Sequence, residues 1–163
     1  PDRKIGRKVL EGSDWKEDFN GWSFEKETPE KGSITNVSYD FWSGYGDYSI
    51  EWQYNSEKDA FARVMGGSKH MDLNNDEQVM ATNVVVLFMT EKGPINEKKH
   101  MLYGTIGTGD ALIFKHGEVI EATWSKKTRT SEIELLTSKG KSVEMGRGLT
   151  WISALAIGSE VDY

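Results

Sequence analysis

The chain of 163 residues has no cysteine, only three prolines and only three histidines. Without cysteine there is no disulfide, no catalytic thiolate and no cysteine-ligated zinc site. No apolar run is long enough to span a bilayer, and the mean hydropathy of -0.58 excludes a chain living inside lipid. These absences leave a soluble globular domain of a size that buries a real core.

The chain also has no excess of positive charge. Twenty-six acidic residues against 20 basic residues give a formal net charge of -6. Phosphate backbones and anionic lipid surfaces are repelled by such a chain, so we expect no nucleic-acid partner. The densest basic clusters, residues 98–100 and 126–129, are typical of solvated loops.

The first fifth of the chain, residues 1–33, differs from the rest. Residues 1–33 are polar and broken by glycine, which predicts an irregular N-terminal segment with a short helix from Ser13 to Phe19. Residues 34–163 form the predicted β-rich domain. Because the chain starts Pro1-Asp2-Arg3-Lys4, without an initiator methionine or an apolar signal segment, we expect a processed or truncated part of a longer protein.

Alternation of apolar and polar residues predicts strands in the second region. In "DYSIEWQY", residues 47–54, Tyr48, Ile50, Trp52 and Tyr54 share one face. Further strands are predicted at 34–41, 60–65, 79–89 and 149–157, with hairpins at 111–124, turning at His116-Gly117, and at 131–145, turning at Lys139-Gly140. We therefore predict a mainly β fold, with α+β as the alternative: an antiparallel sandwich or strongly curled sheet of about eight to nine short strands with little helix.

The stretch "KHMDLNNDEQVMATN", residues 69–83, has the spacing of a calcium loop in Asp72, Asn74 and Asp76. An EF-hand loop needs glycine at its sixth position and glutamate at its twelfth, where this chain has Glu77 and Asn83. We favour a turn built from Asx side chains, with a looser cation site as the alternative. No metal or cofactor is predicted.

Histidine is the scarce catalytic residue type in this chain. His116 is assigned to a turn and His100 to a charged loop, which leaves His70 with polar neighbours of interest. No serine lies in a G-x-S-x-G elbow. The sequence therefore predicts no catalytic residue.

An aromatic cluster offers a different chemistry. Trp42, Tyr45, Tyr48, Trp52 and Tyr54 are typical either of a stacking platform for sugars or peptides or of a β core with a hairpin lid. We favour the core, because alternation places Tyr48, Trp52 and Tyr54 inward.

Several fragments between residues 61 and 157 resemble, in order, the C-terminal half of YerB-like bacterial lipoproteins, a family of unknown function. They are Phe61-Ala62-Arg63, His70-Met71-Asp72, Asn83-Val84, Gly107-Thr108-Gly109, Trp124-Ser125-Lys126 and Gly148-Leu149-Thr150-Trp151. One departure is Phe61, where the family has tyrosine. The resemblance implies a protein held outside the cytoplasmic membrane by a lipid on an upstream cysteine. It also implies an N-terminal domain, missing here, as a partner, and no established reaction.

The resembling residues suggest one candidate site, formed by Arg63, His70, Asp72, Asn83 and Trp124. The turn at Gly66-Gly67 allows a bidentate pair between Arg63 and Asp72, completed by His70 and Asn83. We favour a structural network over a ligand site, because buried polar groups must be paired whatever the function.

These observations favour a non-enzymatic binding or interaction module of a bacterial cell-envelope lipoprotein. The alternative is an envelope enzyme or a sugar- or peptide-binding domain acting on cell-wall material, and a third reading is a structural half that packs on the missing domain. Expected partners are that upstream domain and a cell-wall or protein ligand, with membrane attachment only through the upstream lipid.

Overall fold

The computed structural model describes residues 21–42 and 44–163, and this part of the chain contains fourteen β-strands. In chain order the strands are β1 (Asn36–Asp40), β2 (Ser49–Asn55), β3 (Ala60–Met65), β4 (Ser68–Lys69), β5 (Met71–Asp72), β6 (Glu77–Gln78), β7 (Met80–Ala81), β8 (Asn83–Met89), β9 (Glu91–Lys92), β10 (Leu102–Tyr103), β11 (Gly107–Lys115), β12 (Glu118–Lys126), β13 (Glu134–Thr137) and β14 (Thr150–Ala156). A 3-10 helix, Gly46–Tyr48, precedes β2. The short helix predicted for Ser13 to Phe19 lies outside the described residues.

Two five-stranded sheets carry the fold. The first has the order β1-β2-β3-β4, and β7 also pairs with β3. The second has the order β13-β12-β11-β8-β14, in which β14 runs parallel to β8 and the other pairs are antiparallel. Two small sheets, β5 with β6 and β9 with β10, form in the connections.

The predicted mainly β sandwich is confirmed. Eight of the described strands have four or more residues, and the 3-10 helix is the only helix that residues 21–42 and 44–163 contain. Side chains of both sheets fill the space between them: Val37, Ile50, Trp52 and Phe61 from the first, Val84, Val86, Phe114 and Leu155 from the second.

Strand β8 is buried on both faces, as its unbroken apolar run predicts. Val84 and Val86 face the first sheet, whereas Val85 and Leu87 face a second core on the far side. That second core includes Ile113, Trp124, Leu135 and Met145 and is packed by Trp22. The second sheet is therefore the middle layer of the domain.

The two predicted hairpins differ in completeness. β11 and β12 pair over nine residues around His116-Gly117, as predicted. Around Lys139-Gly140 the turn forms, since Gly140 N donates to Thr137 O at 2.8 Å. The returning chain then pairs with β13 through one isolated bridge and two main-chain hydrogen bonds, Thr137 N to Lys141 O and Val143 N to Leu135 O. The second hairpin thus has one strand, and its other arm is irregular.

Tyr48 departs from the predicted alternation. It ends the 3-10 helix and is exposed, whereas Ile50 and Trp52 are buried as expected. Because helical backbone ends the period of two at this point, the inward placement predicted for Tyr48 is wrong.

The predicted boundary between residues 1–33 and 34–163 stays a prediction. Within the described part of the first segment, Phe24 forms a parallel bridge with Met145, and Trp22 donates from Nε1 to Ile133 O at 2.7 Å. No helix among the described residues is long and apolar enough to cross a membrane.

Candidate functional site

Arg63 lies on β3 and is buried between aromatic rings. Its guanidinium carbon lies 4.6 Å from the centroid of the Trp151 ring and 5.7 Å from that of Trp52. No carboxylate among the described residues pairs with it, and its Nε is buried without a hydrogen-bond partner. Burial disfavours the guanidinium charge and lowers the pKa of Arg63. The guanidinium cation is stabilised by the faces of the two tryptophan rings.

His70 closes this group. Its Nδ1 contacts Nη1 of Arg63, and its ring lies 6.2 Å from that of Trp151. An arginine nitrogen can only donate, so Nδ1 of His70 accepts and its proton sits on Nε2. We call Arg63, His70, Trp52 and Trp151 the arginine stack.

Asp72 does not join the arginine stack, and the predicted bidentate pair with Arg63 is wrong. The Asp72 carboxylate turns back to its own loop, where its Oδ1 accepts from the main-chain N of Asn74 at 2.9 Å and from the Asn74 side chain at 3.0 Å. These hydrogen bonds lower the pKa of Asp72. The predicted Asx turn is confirmed, because the short path to Asn74 satisfies the carboxylate locally.

Asn83 and Trp124 form hydrogen bonds at two other places in the second sheet, away from Arg63. Asn83 exchanges hydrogen bonds with the main chain of Gly146, at 2.8 and 2.9 Å, and donates to Thr150 Oγ1 at 3.1 Å. Trp124 donates from Nε1 to Phe88 O at 2.9 Å and packs over Gly109. The five predicted residues therefore occupy four separate places, and only Arg63 and His70 meet.

A cluster that sequence reasoning missed lies where two hairpin turns meet residue 25. Nδ1 and Nε2 of His116 each lie 2.7 Å from a carboxylate oxygen, of Asp59 and Glu25 respectively. Glu25 also pairs with Lys115, whose ammonium donates to Glu144 O at 2.6 Å. Tyr54 donates to the second oxygen of Asp59 at 2.6 Å. We call Glu25, Tyr54, Asp59, Lys115 and His116 the hairpin clamp.

Electrostatics in the hairpin clamp favour the paired, ionised carboxylates. Burial alone raises the pKa of Glu25, but hydrogen bonds and charge from Lys115 and His116 outweigh it and hold that pKa below its usual value. The pKa of Asp59 is likewise lowered against burial by hydrogen bonds from Tyr54 and His116. Burial and the neighbouring Asp59 raise the pKa of the Tyr54 hydroxyl.

The assignment of His116 to a turn was correct, but the turn is buried and charged. Asp59 and His116 both adopt a positive φ, 51° and 52°, which aims their side chains at each other from the ends of two hairpins. Asp59 and Glu25 are 57 and 91 residues away from His116. No local pattern signals partners at that distance.

The hairpin clamp presents no free histidine nitrogen to a substrate. Both ring nitrogens of His116 contact carboxylate oxygens, so neither nitrogen is open to a substrate for general base chemistry. The adjoining cleft is small, about 130 Å³, and no group of three or more acidic or histidine side chains in the described ranges is arranged to hold a metal ion. The cluster joins the ends of both sheets rather than presenting a reactive atom.

An exposed aromatic group lies between β1 and β2. The Trp42 ring meets the rings of Tyr48 and Tyr45 edge to face, with centroids 5.1 and 6.1 Å apart. All three side chains are exposed, unlike Trp52 and Tyr54 of the predicted aromatic cluster, which lie in the core. We call Trp42, Tyr45 and Tyr48 the aromatic platform.

Two open grooves flank the aromatic platform. One, of about 510 Å³, is completed by Pro94, Lys99 and Met101, and the other, of about 430 Å³, by residues 98–101 and Tyr103. Both volumes fall in the range of roughly 300–1,000 Å³ that small-molecule sites occupy. Burial and the hydrogen bond that it donates to Glu91 raise the pKa of Tyr103 to about 12, so its hydroxyl stays protonated and bound to Glu91 at the rim of the second groove.

Comparison with known proteins gives a family and a fold. Residues 37–152 match the family described as "Protein of unknown function (DUF3048) C-terminal domain". The crystal structure of the YerB protein from Bacillus subtilis is similar, with a TM-score of 0.76 and 20% sequence identity, over 98% of this chain and 53% of that chain. The chain thus spans about half the length of that protein. No curated protein sequence matches it significantly.

Proposed function

This chain belongs to the YerB-like family of DUF3048 C-terminal domains, and on that premise we propose that it is a non-enzymatic binding module of an extracytoplasmic bacterial lipoprotein. The observation that carries the binding role is the aromatic platform. Trp42, Tyr45 and Tyr48 expose large ring surfaces beside two grooves. Exposed aromatic surface of this kind costs solubility and is typical of recognition sites.

The ligand that fits the aromatic platform best is a cell-wall carbohydrate. Trp42 and the two tyrosines offer ring faces for the apolar faces of sugar rings. The tyrosines also offer hydroxyls for the polar rims of the sugars. Lys98 and Lys99 line the second groove and supply ammonium groups for a carboxylate, such as wall sugars or their peptide stems carry. Ring area, hydroxyl and cation thus occur together at one surface.

The alternative function, an enzyme acting on wall material, finds less support. Arg63 and His70 line none of the described clefts, and Asp72, which does line one, is engaged by Asn74. The hairpin clamp has titratable groups but no free base. A general acid or base needs room for a substrate beside it, and the cleft at the hairpin clamp holds only about 130 Å³.

Calorimetric titration tests the binding role. Soluble peptidoglycan fragments, with and without peptide stems, are titrated into the chain and into the variant Tyr45→Ala. We expect binding that weakens at least ~10-fold in the variant, since exposed tyrosines at such sites carry much of the binding energy. Tyr163→Ala is the matched control, because Tyr163 is exposed to a similar degree, 55% against 57%, and lies outside the platform.

Equal loss of affinity in both variants, or no binding of any fragment, would contradict the proposal. Binding only of stem-bearing fragments would reassign the ligand to a peptide while leaving the platform as its site. The location is tested separately in the full-length parent protein. We expect it in the membrane fraction, and in the soluble fraction once its lipid-bearing cysteine is replaced by serine.

A further inference from the structure

Strand β14 is a neutral edge of the second sheet. It pairs with β8 on one side, and no strand among the described residues pairs with its other side. From Gly148 to Gly158 the chain has no charged residue and no proline. Leu149, Ile152 and Ile157 are exposed along it.

The hydrogen bonds of β14 show which main-chain groups face outward. Leu149 O accepts from Asn83 N at 3.1 Å, and Ile157 N donates to Met89 O at 3.0 Å, so odd-numbered residues face β8. Successive residues of a strand point their main-chain groups to opposite sides. The N–H and C=O groups of Ile152 and Ala154 therefore point away from the sheet, and no described residue bonds to them.

The other long outer edges are covered. Ser38 of β1 exchanges two main-chain hydrogen bonds with Asp162, at 2.8 and 2.9 Å. Beside β13, Val143 N donates to Leu135 O, and Leu136 forms a bridge with Ser142. Proteins protect sheet edges with charges, prolines or covering segments, and β14 has none of these among the described residues.

We propose that β14 pairs with β14 of a second copy of this chain, antiparallel about a two-fold axis at Ser153, so that two five-stranded sheets become one. An antiparallel ladder needs outward-facing residues opposite each other. This axis sets Ile152 opposite the partner's Ala154 and Thr150 opposite the partner's Ala156. All four residues are even-numbered and present outward main-chain groups.

The side chains of the edge are complementary to themselves. Ile152 is 44% exposed, and the residue opposite it in this register is an alanine, which leaves room for a branched side chain. Because neither strand carries a charge, pairing buries no unpaired ion. Each copy has a net charge of -6, yet none of it lies on β14. A second copy therefore fits this edge without repulsion at the contact.

Analytical ultracentrifugation of the whole chain tests the proposal. We expect a concentration-dependent monomer and dimer equilibrium for the wild type, and at least ~10-fold weaker association for Ile152→Lys, which puts two lysines close together across the axis. Leu73→Lys is the matched control, since it makes the same change at a site that is 93% exposed and away from the edge. Its association constant is expected to equal that of the wild type, and thermal unfolding confirms that both variants fold.

The register has its own test, because the chain has no cysteine. Ile152→Cys and Ala154→Cys are made as single variants, mixed and mildly oxidised. Directly opposed residues in an antiparallel pair are ~5.5 Å apart at Cα, within disulfide range. Random pairing of an equal mixture already gives about twice as much mixed disulfide as either homodimeric one, so we expect the mixed disulfide to exceed that twofold ratio clearly. A wild type that stays monomeric at its highest soluble concentration, or equal weakening by Leu73→Lys, would overturn the proposal.

Discussion

The side chains near the two ends of β2 differ in exposure: aromatic rings are exposed at one end, and charged groups are buried at the other. At its start, the aromatic platform leaves Trp42, Tyr45 and Tyr48 in solvent. At its end, the hairpin clamp buries His116 and Lys115 against two carboxylates. The seven residues of β2 separate these groups by roughly 20 Å.

This difference separates what holds the domain together from what is free to recognise a ligand. In the hairpin clamp each charged group has its partner within the chain, and removing one leaves another buried and uncompensated. In the aromatic platform the rings contact each other only edge to face. Changes in the clamp should therefore alter stability, and changes in the platform should alter binding.

Within the hairpin clamp, the largest loss of stability is expected from His116→Ala. It removes the imidazole ring whose two nitrogens contact Asp59 and Glu25, so each buried carboxylate loses one of its partners. Because breaking a buried pair costs about 3–5 kcal/mol, we expect roughly 3 kcal/mol lower free energy of unfolding. Urea denaturation followed by tryptophan fluorescence measures it.

His100→Ala is the control for the histidine substitution itself. His100 is exposed, and its ring is hydrogen-bonded to the side chain of Asn96. The free energy of unfolding should change by less than ~0.5 kcal/mol. Similar losses in the two variants would mean that the clamp does not stabilise the fold.

Arg63 sharpens the comparison, since it is a buried cation without a carboxylate. We expect Arg63→Ala to lower the free energy of unfolding by about 2 kcal/mol, because a space opens between Trp52 and Trp151. Arg63→Met fills that space without a charge to desolvate and should change it by less than ~1 kcal/mol. If Met is as damaging as Ala, the arginine charge itself stabilises the stack, and the two clusters are alike.

A smaller effect is expected from pH. The folded-state pKa values of Glu25 and Asp59 lie below their ordinary values of 4.5 and 3.8. Groups with depressed pKa values contribute stability that is present above the ordinary pKa and is lost as the pH falls through the folded one. The free energy of unfolding should thus decline below about pH 4.5.

The double variant Glu25→Gln, Asp59→Asn tests whether the clamp causes that decline. It should be less stable than the wild type at neutral pH and should lose less stability between pH 5 and 3, by about the share that these two acids contribute. Parallel curves for the two proteins would assign the acid sensitivity to other carboxylates. Thermal melts at a series of pH values provide the measurement.

The sheets could be predicted because their signals are local. Alternation in residues 49–55, the apolar run of β8 and the turn at His116-Gly117 each act within a few residues, and each appears in the structure. The wrong prediction for Tyr48 also comes from a local signal, because three residues of 3-10 helix interrupt the alternation there. Short helical turns leave almost no periodic trace in a sequence.

The clusters could be predicted only in part, because they depend on distant contacts. Arg63 and His70 are seven residues apart, across one turn, and their contact follows from the hairpin. Asp72 is close to Arg63 in the sequence, but its carboxylate accepts a hydrogen bond from Asn74 instead. The partners of His116, Glu25 and Asp59, lie in two distant segments of the chain, so no local sequence pattern predicts the contacts.

The smallest effect on stability is expected at the aromatic platform, and it decides whether the two ends of β2 differ as described. Trp42→Ala removes a ring that is 40% exposed and contacts Tyr45 and Tyr48 only at ring edges. We expect a change of less than ~1 kcal/mol in the free energy of unfolding. Trp52→Ala, the matched substitution at a fully buried ring, should cost about 3–5 kcal/mol. If Trp42→Ala approaches that value, the platform is part of the core packing and not a free recognition surface. A stable Trp42→Ala variant that no longer binds wall fragments would place recognition and stability at separate ends of the same strand.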